Sequence, residues 1–446
     1  MCYTINIMSR KYLVAIVGRP NVGKSSFFNK ICGRRISIVK DTPGVTRDRI
    51  YADAEWCGHN FTLIDTGGIE LKSQDTMFKH IREQAEVAID VADVILFFVD
   101  GKDGLLASDF DIADILRLSN KPVLLVVNKL DNYNLEDTYD FYQLGLGDPH
   151  AISCEQSLGL GDLLDEVVAN FPQKNEEEED AGLKIALVGR PNVGKSSLVN
   201  KILGFKRVIV SDVAGTTRDA IDTPFTYNDT KYTLIDTAGM RRKRGIEDES
   251  VEDYSVMRTI SAIERADVVI SVIDASEEIS EQDIRIIGYV HEQGKPGIIL
   301  INKWDKIEKD TYTADKYLKD LKSKLDFMDY VQFIFVSALT GLRTERILPL
   351  VDTVYLNASQ KISTGVLNEV IGEAVAAVEP PTSSGRRLKV QFTTQTGTNP
   401  PTFTIFVNNA TLMHFSYERY LENCMRRAFD FSGTPIKLIF KSKQEK

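Results

Sequence analysis

Val17-Gly18-Arg19-Pro20-Asn21-Val22-Gly23-Lys24-Ser25-Ser26 recurs residue for residue as Val188-Gly189-Arg190-Pro191-Asn192-Val193-Gly194-Lys195-Ser196-Ser197, at an offset of 171. A Gly-x4-Gly-Lys-Ser run that follows an apolar stretch and opens a helical pattern is a phosphate-binding loop. Its glycines let backbone N–H groups curl around phosphate oxygens, and the helix N-terminus adds a favourable dipole. Lys24 and Lys195 reach the β- and γ-phosphates as the expected catalytic cations, and the Ser25 and Ser196 hydroxyls meet Mg²⁺. The offset of 171 holds from Asp41, Thr46, Arg47, Asp48, Asp65 and Gly68 to Asp212, Thr217, Arg218, Asp219, Asp236 and Gly239. It then becomes 174, from Asp100 to Asp274 and Asn128 to Asn302, so the second copy gains three residues near Arg241-Arg242-Lys243-Arg244. A further ten separate Asp305 from Ser337, relative to Asp131 and Ser153. Such self-similarity means a duplicated domain.

Short apolar runs at 13–17, 61–64, 94–99 and 123–127 of the first copy alternate with helical patterns. Val/Ile/Leu-rich runs spaced by helices predict a mostly parallel sheet buried on both faces, hence two tandem doubly wound α/β domains with ligands at the carboxyl ends of their strands. The motifs fall at those ends. The expected divisions are a first nucleotide domain at 11–172, an acidic linker at 173–182, a second nucleotide domain at 183–355 and a small α+β domain at 356–446. The linker contains Glu176-Glu177-Glu178-Glu179-Asp180, whose like charges repel and solvate. In the last region the pattern predicts helix 364–378, strands 388–394 and 402–407, helix 417–431 and strand 436–440.

Asp65-Thr66-Gly67-Gly68 and Asp236-Thr237-Ala238-Gly239 follow apolar strands. There the carboxylate can hold Mg²⁺ through water, and the last glycine's N–H can contact the γ-phosphate. Asn128-Lys129-Leu130-Asp131 and Asn302-Lys303-Trp304-Asp305 end a strand in each copy. A carboxylate here accepts both N1–H and N2–H₂ of guanine, whereas adenine offers an acceptor at N1 and no 2-amino group, so GTP and GDP are the expected ligands. Ser153-Cys154 and Ser337-Ala338 are placed for a backbone N–H to meet guanine O6. Thr46 and Thr217 lie in the loop after the first helix, where a threonine closes on Mg²⁺ and the γ-phosphate only with GTP present. Ile69 and Met240 stand where a Ras-type enzyme has its water-orienting glutamine, and neither can orient water. Asn21 and Asn192 are candidates to hold a potassium ion near the phosphates, or are plain turn residues.

At 446 residues, and with about 100 to 200 residues per domain, three domains are expected. No run approaches the roughly 18 apolar residues of a membrane span, and residues 1–10 carry no signal-peptide core, so a cytoplasmic location is expected. The five cysteines form no C-x-x-C pair and the five histidines no ligand spacing. The net charge of −10 counts against nucleic acid, but residues 356–446 hold 11 Lys/Arg against 7 Asp/Glu, a net +4, leaving −14 on the rest. The basic tail, with Arg386-Arg387-Leu388-Lys389 and Arg426-Arg427, and the run Arg241-Arg242-Lys243-Arg244 suit RNA phosphates.

The two GTP-type domains, the acidic linker, and the stretch Ser416-Tyr417-Glu418-Arg419-Tyr420-Leu421-Glu422-Asn423 through Phe431-Ser432-Gly433-Thr434-Pro435-Ile436 together resemble the bacterial double-Era-like GTPase family (EngA or Der) over nearly the whole chain. The resemblance implies two tandem P-loop GTPase domains followed by a K-homology-like domain, potassium-stimulated hydrolysis, and a role in maturation of the large (50S) ribosomal subunit through ribosomal RNA, by a monomer. The tail departs from K-homology modules in having no G-x-x-G loop, the element that clamps RNA backbone. Two alternatives stay open: a tRNA-modification GTPase, against which the ending Lys-Gln-Glu-Lys counts because such relatives carry a reactive C-terminal cysteine, and a GTP-dependent RNA- or ribosome-binding scaffold with one structural nucleotide site.

Overall fold

A computed structural model describes residues 12–32, 51–65, 85–86, 88–119, 121–131, 135–172, 182–205, 208–210, 222–236, 251–308, 310, 312–383 and 386–442. The chain divides into two compact units, one built on 10–178 together with 246–261, and one holding the rest of the second repeat with the C-terminal region.

The first repeat runs β1 (Tyr12–Val17), α1 (Lys24–Cys32), β2 (Tyr51–Trp56), β3 (His59–Asp65), β4 (Val94–Asp100), α2 (Ala107–Arg117), β5 (Val123–Asn128), β6 (His150–Ala151) and α3 (Leu160–Ala169). The sheet order is β2-β3-β1-β4-β5-β6, parallel except for the β2–β3 hairpin. That hairpin turns on Cys57 and Gly58, both at positive φ (46° and 83°), the backbone a two-residue turn needs to match strand twist. Because strand side chains alternate, Val14 and Ile16 enter one core while Ala15 and Val17 enter the core on the opposite face. The near-continuous apolar strands are thus buried on both sides.

The second repeat runs β7 (Leu183–Val188), α4 (Lys195–Leu203), β8 (Val208–Val210), β9 (Thr223–Tyr227), β10 (Thr230–Ile235), α5 (Val251–Arg265), β11 (Val268–Asp274), α6 (Glu281–Glu292), β12 (Gly297–Asn302), α7 (Thr313–Lys324), β13 (Gln332–Phe335) and α8 (Ile347–Ser359). Its order β13-β12-β11-β7-β10-β9-β8 reproduces the first sheet and adds the edge strand β8. In both sheets the first strand sits beside the strand that ends at Asp100 or Asp274, so the order reverses at the phosphate loop, where doubly wound sheets open a crevice.

The C-terminal region forms α9 (Thr364–Ala377), a short hairpin β14 (Thr382–Ser383) and β15 (Arg386–Arg387), then β16 (Val390–Gly397), β17 (Thr402–Val407), α10 (Phe415–Ala428) and β18 (Lys437–Ser442). The expected α-β-β-α-β order is present, with the hairpin added. β17 pairs antiparallel with β16 and parallel with β18, and Phe403, Ile405, Leu367, Ile371, Leu421 and Met425 fill the core between sheet and helices.

Within its unit this domain is clamped to the second repeat by the loop after α10. The Gly433 N–H donates to the Tyr330 carbonyl and the Gly297 N–H donates to the Gly433 carbonyl, both at 2.8 Å. Gly433 has φ +79°, and a Cβ there would lie 2.4 Å from Cγ2 of Val354. Arg426 sits 4.8 Å above the Tyr330 ring and is held by Glu422 at 2.8 Å. Gly433→Ala combines forbidden backbone with overlap and is expected to destabilise this unit by about 1–3 kcal/mol. A drop in the melting transition of the unit that holds the second repeat, by scanning calorimetry of the full chain, checks this.

Candidate functional site

Each repeat gathers its motif residues at the carboxyl ends of its central strands. Gly18 and Gly189 leave β1 and β7 with φ +149° and +142°, and a Cβ on them would fall 2.3 Å from the Phe98 carbonyl and 2.4 Å from the Val272 carbonyl. Only glycine lets the loop pass that close to the neighbouring strand. Asn21 and Asn192 take the left-handed conformation (φ 66° and 65°), which asparagine tolerates better than most residues. Both candidate potassium residues thus take a turn backbone, whichever role their side chains have.

Asn128 crosses the site as a brace. Its Nδ2 donates to the Val22 carbonyl at 2.8 Å, and its Oδ1 accepts the Cys154 N–H at 3.0 Å, so one buried amide ties the phosphate loop to the loop after β6. Asn302 does the same with Val193 at 2.8 Å and Ala338 at 3.0 Å. Gly23 and Gly194 make the approach possible, since a Cβ on either would lie 2.1 or 2.3 Å from the brace nitrogen. The Cys154 and Ala338 amides, expected to meet a guanine O6, donate to asparagine. Lys30 secures the first of these loops further, donating to the Cys154 carbonyl and, at 3.0 Å, to the Glu155 carbonyl.

Lys24 Nζ donates to the carbonyls of Gly18 (2.6 Å) and Arg19 (2.8 Å), and Lys195 Nζ to those of Gly189 and Arg190 (both 2.6 Å). The ammonium closes its own loop. Burial pulls Lys24 down from 10.5 to about 8, against an upward pull from Asp65. Ser25 Oγ donates to Asp65 Oδ2 at 2.8 Å, so a hydroxyl and a carboxylate converge beside the phosphate loop. That oxygen pair fits a hard divalent cation held by the hydroxyl directly and the carboxylate through water.

Behind each Asn-Lys-x-Asp motif lies an aspartate that belongs to none of the motifs. Asp100 Oδ2 holds Lys129 Nζ at 2.5 Å while its Oδ1 accepts the N–H groups of Lys102 (2.9 Å) and Asp103 (3.2 Å). Burial pushes its carboxyl up, but these hydrogen bonds outweigh it and hold the group below the usual carboxylate range. Asp274 holds Lys303 identically at 2.5 Å. A second pair joins the phosphate loop to the next helix: Arg19 Nε faces Asp109 at 3.5 Å, and Arg190 Nε faces Asp283 at 2.7 Å. Asp100/Asp274 and Asp109/Asp283 both keep the 174 register, which is the sequence signal that marks them.

The carboxylates expected to read the base differ. Asp131 Oδ1 accepts from Ser153 Oγ at 2.8 Å and Oδ2 from Lys102 Nζ at 2.6 Å, whereas Asp305 accepts no side-chain hydrogen bond among the described residues. Leu130 and Trp304 are buried under the motifs. Pro20, Ser26, Pro191 and Ser197 complete the phosphate loops. Thr46, Thr66, Gly67, Gly68, Ile69, Thr217, Thr237, Ala238, Gly239, Met240 and the basic run 241–244 lie outside the described residues. Among the described residues no helix is long and apolar enough to cross a membrane, and no His/Cys/Asp/Glu cluster could by itself hold a metal.

A family model described as "50S ribosome-binding GTPase" matches residues 13–129 and 184–303, and one described as "KH-domain-like of EngA bacterial GTPase enzymes, C-terminal" matches residues 361–441. The "GTPase Der" of Clostridium tetani (strain Massachusetts / E88) is 56% identical over 437 residues, covering 98% of this chain and 100% of its own length. The "GTPase Der" of Agathobacter rectalis (strain ATCC 33656) is 56% identical over 441 residues, with the same coverage.

A phosphate at the first loop would hold Lys24 charged, while the free lysine loses its proton as pH rises through about 8. Nucleotide binding at pH 8.5 should therefore take up a fraction of a proton, and affinity should fall as pH climbs above 8. Titration calorimetry in buffers of different ionisation heat measures the uptake; Lys24→Arg should abolish it.

Proposed function

Because the chain belongs to the GTPase Der family, we propose that it binds GTP at two separate sites, one per repeat, and uses hydrolysis as a switch in assembly and maturation of the large ribosomal subunit. The chain is a GTPase: it binds GTP and GDP and converts GTP to GDP and phosphate. What supports two sites is the repetition of one constellation, in which the same lysine, asparagine brace and aspartate–lysine pair recur in both repeats at matching distances.

On this reading the loop N–H groups and Lys24 or Lys195 take the phosphates, the lysine exchanging its own loop carbonyls for phosphate oxygens. Asn128 and Asn302 keep the phosphate loop and base loop at fixed separation. Asp131 and Asp305 read N1–H and N2–H₂ of guanine, with Lys129 and Lys303 oriented by Asp100 and Asp274. Ser25 with Asp65, and Ser196 with Asp236, would hold Mg²⁺ together with Thr46 or Thr217. When bound, the ion would neutralise phosphate charge. With Ile69 and Met240 unable to orient water, a potassium ion near Asn21 and Asn192 would supply the charge that an arginine finger supplies elsewhere. Faster turnover in potassium than in sodium chloride at equal ionic strength tests that part.

Ribosome association is supported by the match to the ribosome-binding GTPase family and by the basic C-terminal region. A cytoplasmic monomer is the form expected to act. Asp131→Asn or Asp305→Asn should move preference from guanine to xanthine nucleotides at its own site alone; retained GDP affinity at the altered site would sink the base-reading assignment. Sedimentation with purified 50S subunits in potassium buffer should depend on a non-hydrolysable GTP analogue, and equal or absent binding under GDP and analogue would overturn the ribosomal switch.

A further inference from the structure

The two repeats build the turn after β4 and β11 on the same aspartate and differ in what the residue two places after it does. In the first, Asp100 accepts the N–H of Lys102, and the lysine side chain reaches across to Asp131 Oδ2 at 2.6 Å. In the second, Asp274 accepts the N–H of Ser276 at 2.9 Å and its hydroxyl at 2.7 Å, so the side chain folds back on the scaffold. Lys102 and Ser276 occupy the same place in the 174 register. The consequence lies at the base-reading carboxylates: Asp131 carries an ammonium partner and Asp305 carries none among the described residues.

An ammonium offers Asp131 N–H donors, as guanine's N1–H and N2–H₂ do, and adds a formal positive charge that the neutral base lacks. Guanine needs both carboxylate oxygens, and Ser153 already takes part of Oδ1. Lys102 must give up Oδ2, or share it at reduced strength, when the base enters. An adenine base, which makes no donor contact here, leaves the pair intact.

We propose that Lys102 is an internal competitor for the guanine edge at the first site, a specificity-determining residue that weakens GTP and GDP binding there and leaves adenine nucleotides unaffected. This rests on Asp131 reading guanine. It makes the first site bind more weakly, release faster and discriminate less against adenine than it would with the serine of the second repeat. The pair is partly exposed, with 60% of the Lys102 and 31% of the Asp131 side-chain surface open to solvent. The effect is accordingly modest, about two- to fivefold in dissociation constant, and it shrinks as salt screens the pair.

The test uses the full chain carrying Asp305→Asn, so that a fluorescent GDP derivative reports the first site. Lys102→Ser should tighten the derivative about two- to fivefold at low salt, slow its release, and leave the matching ADP derivative unchanged; Lys102→Arg, which keeps the cation, should stay with the parent. Unchanged or weaker GDP binding in Lys102→Ser overturns the proposal, as does an equal change for ADP, which would mark a general charge effect on the phosphates. Asp131→Asn in the same background separates the two readings. If it shifts preference to xanthine while Lys102→Ser is silent, only the competitor fails; if it leaves GDP binding intact, the guanine-reading assignment fails.

Discussion

The side-chain amide of Asn128, and of Asn302 in the second repeat, is the interaction on which the loop arrangement of each repeat depends. One group donates to the phosphate loop and accepts from the loop after β6 or β13, joining segments more than a hundred residues apart. Aspartate would lack the donor, and glutamine would overreach by a methylene in a space where a single Cβ on Gly23 would already collide. A buried amide satisfied at both ends fixes position with little entropic slack, and leaving either partner unmade would cost about 1–3 kcal/mol. The glycine of the phosphate loop is therefore required by the asparagine as much as by phosphate.

A second tier of contacts holds the loops from outside. Arg19 and Arg190, the residues after the first loop glycine, reach back to Asp109 and Asp283, near the start of the helix after the strand that ends at Asp100 or Asp274. Asp283 also caps that helix by pairing with Ser280, so one carboxylate fixes a helix start and a phosphate loop together. The carbonyls of the same arginines accept the loop lysines. Such an ion pair is retained less for net stability than for the geometry it enforces, because separating two largely buried charges is costly while their union roughly offsets desolvation.

Local sequence carried the doubly wound sheets because their strands are buried on both faces and so read as apolar runs, and because the repeat supplied each motif twice in register. The C-terminal order α-β-β-α-β was legible for a similar reason: alternation in 402–407 and the amphipathic spacing of Tyr417, Leu421 and Met425 each match one secondary-structure period. The side-chain partners were not legible. Nothing in the spacing of Asp100, Lys102, Lys129 and Asp131 says which carboxylate takes which lysine; that follows from a turn whose N–H groups point at Asp100 and throw Lys102 outward. The Cys154 amide likewise looks free in sequence, and only the position of Asn128 shows it engaged. The hairpin β14–β15, two residues per strand, is too short to leave a periodic signal.

One strand of the second repeat binds these tiers to the C-terminal domain. Gly297, the first residue of β12, donates to Gly433 of the docking loop, and Asn302, the last, is the brace. All six residues between and including them are buried, paired on one side with β11 and on the other with β13. A strand so confined moves as a rigid element, since protein interiors pack with little free volume. The loop of the C-terminal domain and the loop that receives phosphate are therefore referenced to the same few backbone atoms. In the first repeat the equivalent strand starts at Val123, half-buried and without that clamp among the described residues. Duplication gave both domains the same loop, brace and aspartate–lysine pair, and the clamp at Gly297 sets apart the copy whose β12 also carries the C-terminal domain.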